Sequence, residues 1–330
     1  MSRAGAGAHV AFALAVTSVG ALPVWMLSAY APSLQRDLGL GATALGVTIA
    51  AYFALSSVTG MPGGRLVERV GWRRGVVVSA AISALSLLAV ALVARSWATL
   101  VLAVAIGALA NGPSQPAANQ AIAEGVDRGR HGLAFGVKQA ALPVSTLLVG
   151  LSVELFDQPA QWRAAFGVGA ALALALVAAA AVRLIRDTNA RRTRTTEPAP
   201  VSARVRHRVP PALKLLSAGA GFGTAATISL GGFLPVYAVD RGLDLGAAGR
   251  LLALGSIVGI ASRVVSGLLA DRRTGRHLVM VSAMMGAGAV GLLVLAAFGG
   301  SGVGLAIGTL LAFGLGWSWN GVFHLAVVRY

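Results

Sequence analysis

The chain has 330 residues, of which 56% are hydrophobic and only 12% charged, where a soluble domain carries roughly a quarter charged. That composition excludes a water-soluble globular fold and points to an all-α integral membrane protein. The formal net charge of +16 would suit a nucleic-acid partner, but the basic residues gather in alternate polar connections, as in a protein oriented by its cationic loops, so the partner is the lipid bilayer and not nucleic acid.

Ten apolar stretches of membrane-crossing length run from about 9 to 31, 42 to 63, 75 to 94, 97 to 122, 131 to 153, 163 to 182, 213 to 238, 246 to 269, 277 to 298 and 302 to 327. They are predicted helices 1 to 10. Arg3, an apolar run and small residues near Ala21 imitate a secretory signal. The run continues through Trp25 and Tyr30, too long for a cleaved core, so it reads as a first membrane helix. Arg65, Arg69, Arg73 and Arg74 follow helix 2, Arg128 and Arg130 follow helix 4, a basic run from Arg183 to Lys214 follows helix 6, and Arg272, Arg273 and Arg276 follow helix 8. Those connections are expected to be cytoplasmic, with the amino terminus on the same side of a plasma or inner membrane. The opposite connections hold scattered cations, Arg36, Arg95, Arg163, Arg241 and Arg250, mostly near acids such as Asp37, Asp157 and Asp240. The Pro- and Arg-rich segment 185–211 divides the chain into a six-helix half, 1–184, and a second half, 212–330. It reads as a solvated tether in preference to a binder of anionic headgroups.

Two copies of one short pattern sit in corresponding places. Gly64-Arg65-Leu66-Val67-Glu68-Arg69-Val70-Gly71-Trp72-Arg73-Arg74 follows helix 2, and Gly267-Leu268-Leu269-Ala270-Asp271-Arg272-Arg273-Thr274-Gly275-Arg276 follows helix 8. Leu38-Gly39-Leu40-Gly41-Ala42 likewise returns as Leu243-Asp244-Leu245-Gly246-Ala247, the kind of internal repeat on which transporters are built. The paired loops resemble the signature of the major facilitator superfamily, although Glu68 replaces its usual Asp and Thr274 adds a residue. The resemblance implies a duplicated bundle of twelve helices working by alternating access. Ten are present, so the expectation is a chain lacking helices 11 and 12. It also implies cytoplasmic latches: Gly64, Glu68, Arg69, Gly71 and Arg73 on one side and Arg263, Gly267, Asp271, Arg272 and Gly275 on the other, with Asp271 meeting the start of helix 5 and Glu68 meeting helix 11. Both carboxylates are read as sitting at helix amino termini, where the dipole favours them.

Helices 3, 6 and 9 contain little polarity beyond Ser and are expected to face lipid. Helix 4 sets Asn111, Gln115 and Asn119 four residues apart, on one face that must meet protein or water. Gly112, Pro113 and Pro116 would loosen it and free backbone carbonyls. In helix 5, Lys138 lies in an apolar run with Gln139 beside it and no mid-membrane acid to pair with. Two readings stay open: a cation in a central cavity that meets an anionic substrate, or one that snorkels to the nearer surface. Arg263 in helix 8 reads more readily as part of the gate. In helix 10, Trp319 and Asn320 are candidate contacts, with His324 behind them, although Trp there can be a simple anchor or packing. Thr17, Ser18, Trp25 and Tyr30 in helix 1 and Tyr237 in helix 7 carry the same ambiguity.

No hydrolase elbow, phosphate-cradling loop or paired membrane carboxylate is present, so no enzyme activity is expected and transport should not use nucleotide. With no Cys and five His lacking ligand spacing, neither a metal nor a cofactor is expected. The predicted function is secondary transport of a small solute, an organic or inorganic anion, by a monomer, with a proton as a candidate coupling ion. A multidrug or metabolite efflux antiporter and an inactive membrane fragment are the alternatives. Drug antiporters of the resembled family usually place an Arg in helix 4 a few residues before a glycine; Ala103, four before Gly107, stands there instead.

Overall fold

The computed structural model describes residues 3–156, 158, 160–192, 211–272 and 276–329. Among them there are helices and connections but no strand, since a backbone in hydrocarbon must satisfy its own hydrogen bonds. Helix 1 is Arg3–Ala29, helix 2 Ala42–Val70, helix 3 Trp72–Val93 and helix 4 Trp97–Gly125. Helix 5 has two parts, His131–Gln139 and Ala141–Leu155; helix 6 is Trp162–Arg192, helix 7 Pro211–Asp240, helix 8 Leu245–Arg272 and helix 9 His277–Phe298. Helix 10 runs Gly302–Leu311, passes through a π-helical turn Ala312–Gly316, and resumes as Trp319–Arg329. Among the described residues, ten helices are long and apolar enough to cross a membrane. Of the expected tether 185–211, residues 185–192 continue helix 6, Pro211 opens helix 7, and 193–210 lie outside the described residues.

The sequence places most helix ends within a few residues, with three corrections, one being that helix 6, expected to end near 182, runs on to Arg192. A short amphipathic helix, Ala31–Leu38, follows helix 1 and stops at Gly39, whose φ of +66° suits a residue without Cβ. The first copy of the repeated pattern is mostly helix, not loop. Residues 64–70 prolong helix 2 past the apolar stretch, and Gly71 alone, at φ +83°, turns the chain into helix 3. Helix formation needs no apolarity, so hydropathy ended helix 2 seven residues early.

Lipid offers no hydrophobic drive between helices, so they associate through small residues and hydroxyls. Helices 2 and 4 touch backbone to backbone: a Cβ on Gly63 would lie 2.6 Å from the Pro113 nitrogen, and one on Gly112 2.6 Å from the Thr59 carbonyl oxygen. Ser79 Oγ donates to the Ala110 carbonyl at 2.9 Å and Ser86 Oγ to that of Ala103 at 2.8 Å, tying helix 3 to helix 4. Helix 1 is the most enclosed of the ten and helices 2 and 9 the least. The expected lipid-facing group of 3, 6 and 9 therefore omits helix 2, whose Val58 and Met61 are exposed.

Helices 5 and 8 run antiparallel along each other and join the first six helices to the last four. From the basic side to the opposite side, Gly132 meets Gly267, Gly136 meets the Arg263 carbonyl, Pro143 meets Gly259, Thr146 Oγ1 and Ser256 Oγ share a 2.7 Å hydrogen bond, and Gly150 meets Gly249. Helix 7 adds a second seam, Gly231 lying under the Trp25 ring of helix 1.

Candidate substrate site among helices 4, 5, 8 and 10

Pro143 cannot donate to the Gln139 carbonyl, and helix 5 breaks at Ala140 just beyond it. Lys138 occupies the last turn before the break. It is 2% exposed, and its Nζ donates to Gln115 Oε1 of helix 4 at 2.5 Å. The side chain thus turns inward to a neutral amide and does not reach a surface. Gln139 is buried beside it.

The expected stripe on helix 4 divides. Gln115 meets Lys138, half-buried Asn111 accepts from Ser114 Oγ through its side-chain oxygen at 3.3 Å, and Asn119 is exposed.

Arg263 is the second buried cation, 1% exposed. Its Nη2 donates to the Trp317 carbonyl, and its guanidinium lies 5.2 Å from the centre of the Trp317 ring. The π turn makes this possible: helix 10 is interrupted at Trp317 and Ser318, so the Trp317 carbonyl is open to a side chain. Trp317 packs edge-on against Phe313 at 4.7 Å and against Trp25 of helix 1 at 5.4 Å. Trp25 Nε1 and Arg263 Nε and Nη1 are buried without hydrogen-bond partners. No described carboxylate pairs with Lys138 or Arg263.

Trp319, the expected aromatic contact, faces elsewhere. It lines a groove with Phe222 and Gly223 of helix 7 and Met285 of helix 9. Two residues separate it from Trp317, whose indole is the one that meets Trp25 of helix 1 and Arg263 of helix 8, just after the π turn. Asn320 is half-buried, and a Cβ on its neighbour Gly321 would lie 3.7 Å from Gly136 Cα at the start of helix 5. The side chain of His324 lies outside the described residues.

On the basic side, Glu68 sits in the last turn of helix 2, so the expected amino-terminal dipole position is corrected to a carboxy-terminal one, across Gly71 from helix 3. Glu68 and Arg69 are exposed; with Arg73 they border a pocket that also contains Gln120 and Glu124 of helix 4. Arg73 stacks 4.4 Å from the Trp72 ring, whose Nε1 donates to Glu124 Oε2 at 2.9 Å, while Gln120 Nε2 holds Oε1 at 2.8 Å. Gly64 lies against Pro116. Gly267 abuts the Gly132 carbonyl oxygen, so the ends of helices 8 and 5 meet where a latch was expected. Asp271 belongs to the last turn of helix 8, again a carboxy terminus. Its side chain and Gly275 lie outside the described residues, and Arg272 is exposed.

Contacts on the opposite side were not legible in sequence. Arg250 Nη1 of helix 8 lies 2.7 Å from both carboxylate oxygens of Glu154 of helix 5. Asp37 receives Trp162 Nε1 at 2.9 Å, the Ala160 amide at 3.2 Å and Arg36 Nε at 3.1 Å. Burial raises the Asp37 pKa, but these hydrogen bonds, Trp162 foremost, outweigh it and hold the carboxyl below its ordinary value. Arg163 closes the far end of helix 3 by donating to the Ala91 and Ala94 carbonyls at 3.0 and 2.6 Å. Apart from the adjacent Arg36 and Asp37, these partners are more than 60 residues apart, and no local pattern announces them.

Ten membrane-length helices, with helices 5 and 8 forming the seam, define a multi-pass helical membrane protein. The model of the Major Facilitator Superfamily matches residues 13–330. The chain belongs to that family, a family of transporters. No curated protein matches it in sequence. Among solved structures it is similar to a D-xylose-proton symporter, with TM-score 0.71 and 16% identity over 97% of this chain and 82% of that one. It is also similar to a bacterial homolog of the human lysosomal transporter Spinster in an inward-facing, unoccupied conformation, with TM-score 0.67 and 14% identity over 99% of this chain and 80% of that one. Both likenesses are in fold.

Proposed function

We propose that the chain is a secondary carrier of a small anionic solute, which it binds between residues 1–184 and 212–330 and releases by alternating access. The observation that carries this reading is Lys138, enclosed at 2% exposure with a neutral amide as its partner. An ammonium in a membrane span costs about 3 kcal/mol on insertion scales, and such residues mark substrate or ion pathways. An arriving carboxylate would replace Gln115 with a charge-assisted partner. Gln115, Gln139 and Asn111 supply neutral hydrogen bonds around it. In one state the far part of the helix 5–helix 8 seam, from Thr146–Ser256 to Gly150–Gly249, and the Trp25–Gly231 contact close the opposite side; in the other those contacts part. Glu68 and Asp271, with Arg69, Arg73, Arg272 and the glycines of the repeated pattern, are assigned to the cytoplasmic latches. The basic side is assigned to the cytoplasm of a plasma or inner membrane, with the amino terminus there. The working unit is a monomer, and a proton is the candidate coupling ion.

Uptake of radiolabelled anions into proteoliposomes tests the reading. Lys138→Ala should abolish uptake of the transported anion and Lys138→Arg should retain part of it. Unchanged uptake of every accepted anion in both variants removes Lys138 from the site.

A further inference from the structure

Resting on that anion reading, we propose that Arg263 and Trp25 form a second anion-binding point, and that the substrate is a small dicarboxylate held by Lys138 at one end and Arg263 at the other. Arg263 is 1% exposed yet leaves Nε and Nη1 without partners. A guanidinium donates through five N–H groups in a planar fork suited to a carboxylate, and here a single carbonyl, that of Trp317, receives it. Nη1 lies close to where a Cβ on Gly259 would be, with Pro143 of helix 5 and the Phe313 carbonyl around the same point. A larger residue at 259 would fill that space.

The two cations spring from neighbouring turns of helices 5 and 8. A Cβ on Gly136, half a turn before Lys138, would be 3.0 Å from the Arg263 carbonyl oxygen, and one on Gly259, a turn before Arg263, would be 3.4 Å from Pro143 Cβ. Residues 136–143 of helix 5 therefore lie alongside 259–263 of helix 8. From these turns the side chains diverge, Lys138 to Gln115 on helix 4 and Arg263 to Trp317 on helix 10. Two enclosed positive charges with no described carboxylate between them leave a site that two negative charges would balance. The divergence asks for those charges at opposite ends of one molecule. Trp25, packed edge-on against the same Trp317 ring that neighbours Arg263, adds an indole N–H that is also buried and unpartnered. A dicarboxylate so held would touch helices 1, 4 and 5 from the first six and helices 8 and 10 from the last four, so its arrival would bias their relative position. A monocarboxylate would satisfy only one end.

The experiment is binding and counterflow with the full chain in proteoliposomes, using succinate, glutarate and phthalate against butyrate and benzoate. Parent, Arg263→Gln and Lys138→Gln proteins are compared. Gln at 263 keeps a donor for the Trp317 carbonyl while removing the charge, and its size-exclusion profile and thermal stability in detergent establish folding. At least one dicarboxylate should bind at least tenfold more tightly than its monocarboxylate counterpart. In Arg263→Gln that preference should fall to near unity while monocarboxylate binding survives. Equal affinity for the two classes in the parent, or a dicarboxylate preference that persists in Arg263→Gln, would overturn the second binding point and leave the anion carrier standing. Failure of every anion to bind, or indifference of all binding to Lys138→Gln, would overturn the anion reading and this inference with it.

Discussion

Replacing Lys138 and Gln115 together by Met should make the empty protein more stable while destroying transport. An enclosed Lys costs about 3 kcal/mol in a span, and its charged hydrogen bond to Gln115 returns about 1.5–3 kcal/mol. Lys138→Met alone removes the ammonium but strands Gln115 Oε1, at a cost of about 1–3 kcal/mol. Its net effect should run from near neutrality to about 3 kcal/mol of destabilisation. In the double variant no acceptor is stranded, and Met fills both volumes flexibly. A gain of up to about 1.5 kcal/mol, roughly tenfold in the unfolding equilibrium, is expected. The assay is reversible unfolding in mixed micelles by SDS titration, followed by helicity, with uptake measured on the same preparations. A double variant less stable than the parent by more than about 1 kcal/mol would show that the pair holds the bundle together. The argument from an uncompensated cation to a substrate would then fail.

Three further outcomes are expected. The chain has no Cys, so Thr146→Cys/Ser256→Cys, replacing hydroxyls 2.7 Å apart across the helix 5–helix 8 seam, should form a disulfide under copper phenanthroline and stop transport until reduced; oxidised protein transporting at the parent rate would show that the seam never parts. Gly63→Val should destabilise the protein by about 2 kcal/mol or more, because helices 2 and 4 are in backbone contact there and cannot yield as a side chain would; this is read as loss of folded yield and thermal stability in detergent. Asp37→Asn should cost about 1 kcal/mol near neutral pH and nothing in strong acid, measured as thermal stability against pH. The sign follows from the lowered pKa of Asp37: its contribution is complete above the unfolded carboxyl value of about 3.9 and is lost as pH falls through the lower folded value. Equal pH profiles for parent and variant would refute the role of the Trp162–Asp37 clasp.

The repeated pattern, legible as residues, was misjudged as structure. Gly64 to Val70 reads as loop because Arg and Glu end the apolar run, whereas a helix continues until a residue such as Gly71 must take positive φ. Glu68 therefore lies at the opposite pole of a helix from the one assigned by sequence. Lys138 stood out in sequence because charge in an apolar run is conspicuous; Gln115 stood out because amides at four-residue spacing share a face. That the two meet depends on how helices 4 and 5 pack.

By itself the sequence determined the class of protein and the count and near-limits of its ten helices, because hydrocarbon thickness and backbone hydrogen bonding act on each span separately. It also fixed the residues whose charge is costly in a span. Tertiary structure alone decided that Lys138 turns to Gln115 and that Arg263 turns to the Trp317 carbonyl. It chose Trp317 over Trp319 as the aromatic neighbour, and set Glu154 against Arg250. Each depends on which helices become neighbours and at what rotation, and in helix 10 on a π turn whose one-residue shift redirects everything after it. Those are properties of packing between distant segments, which no single span encodes.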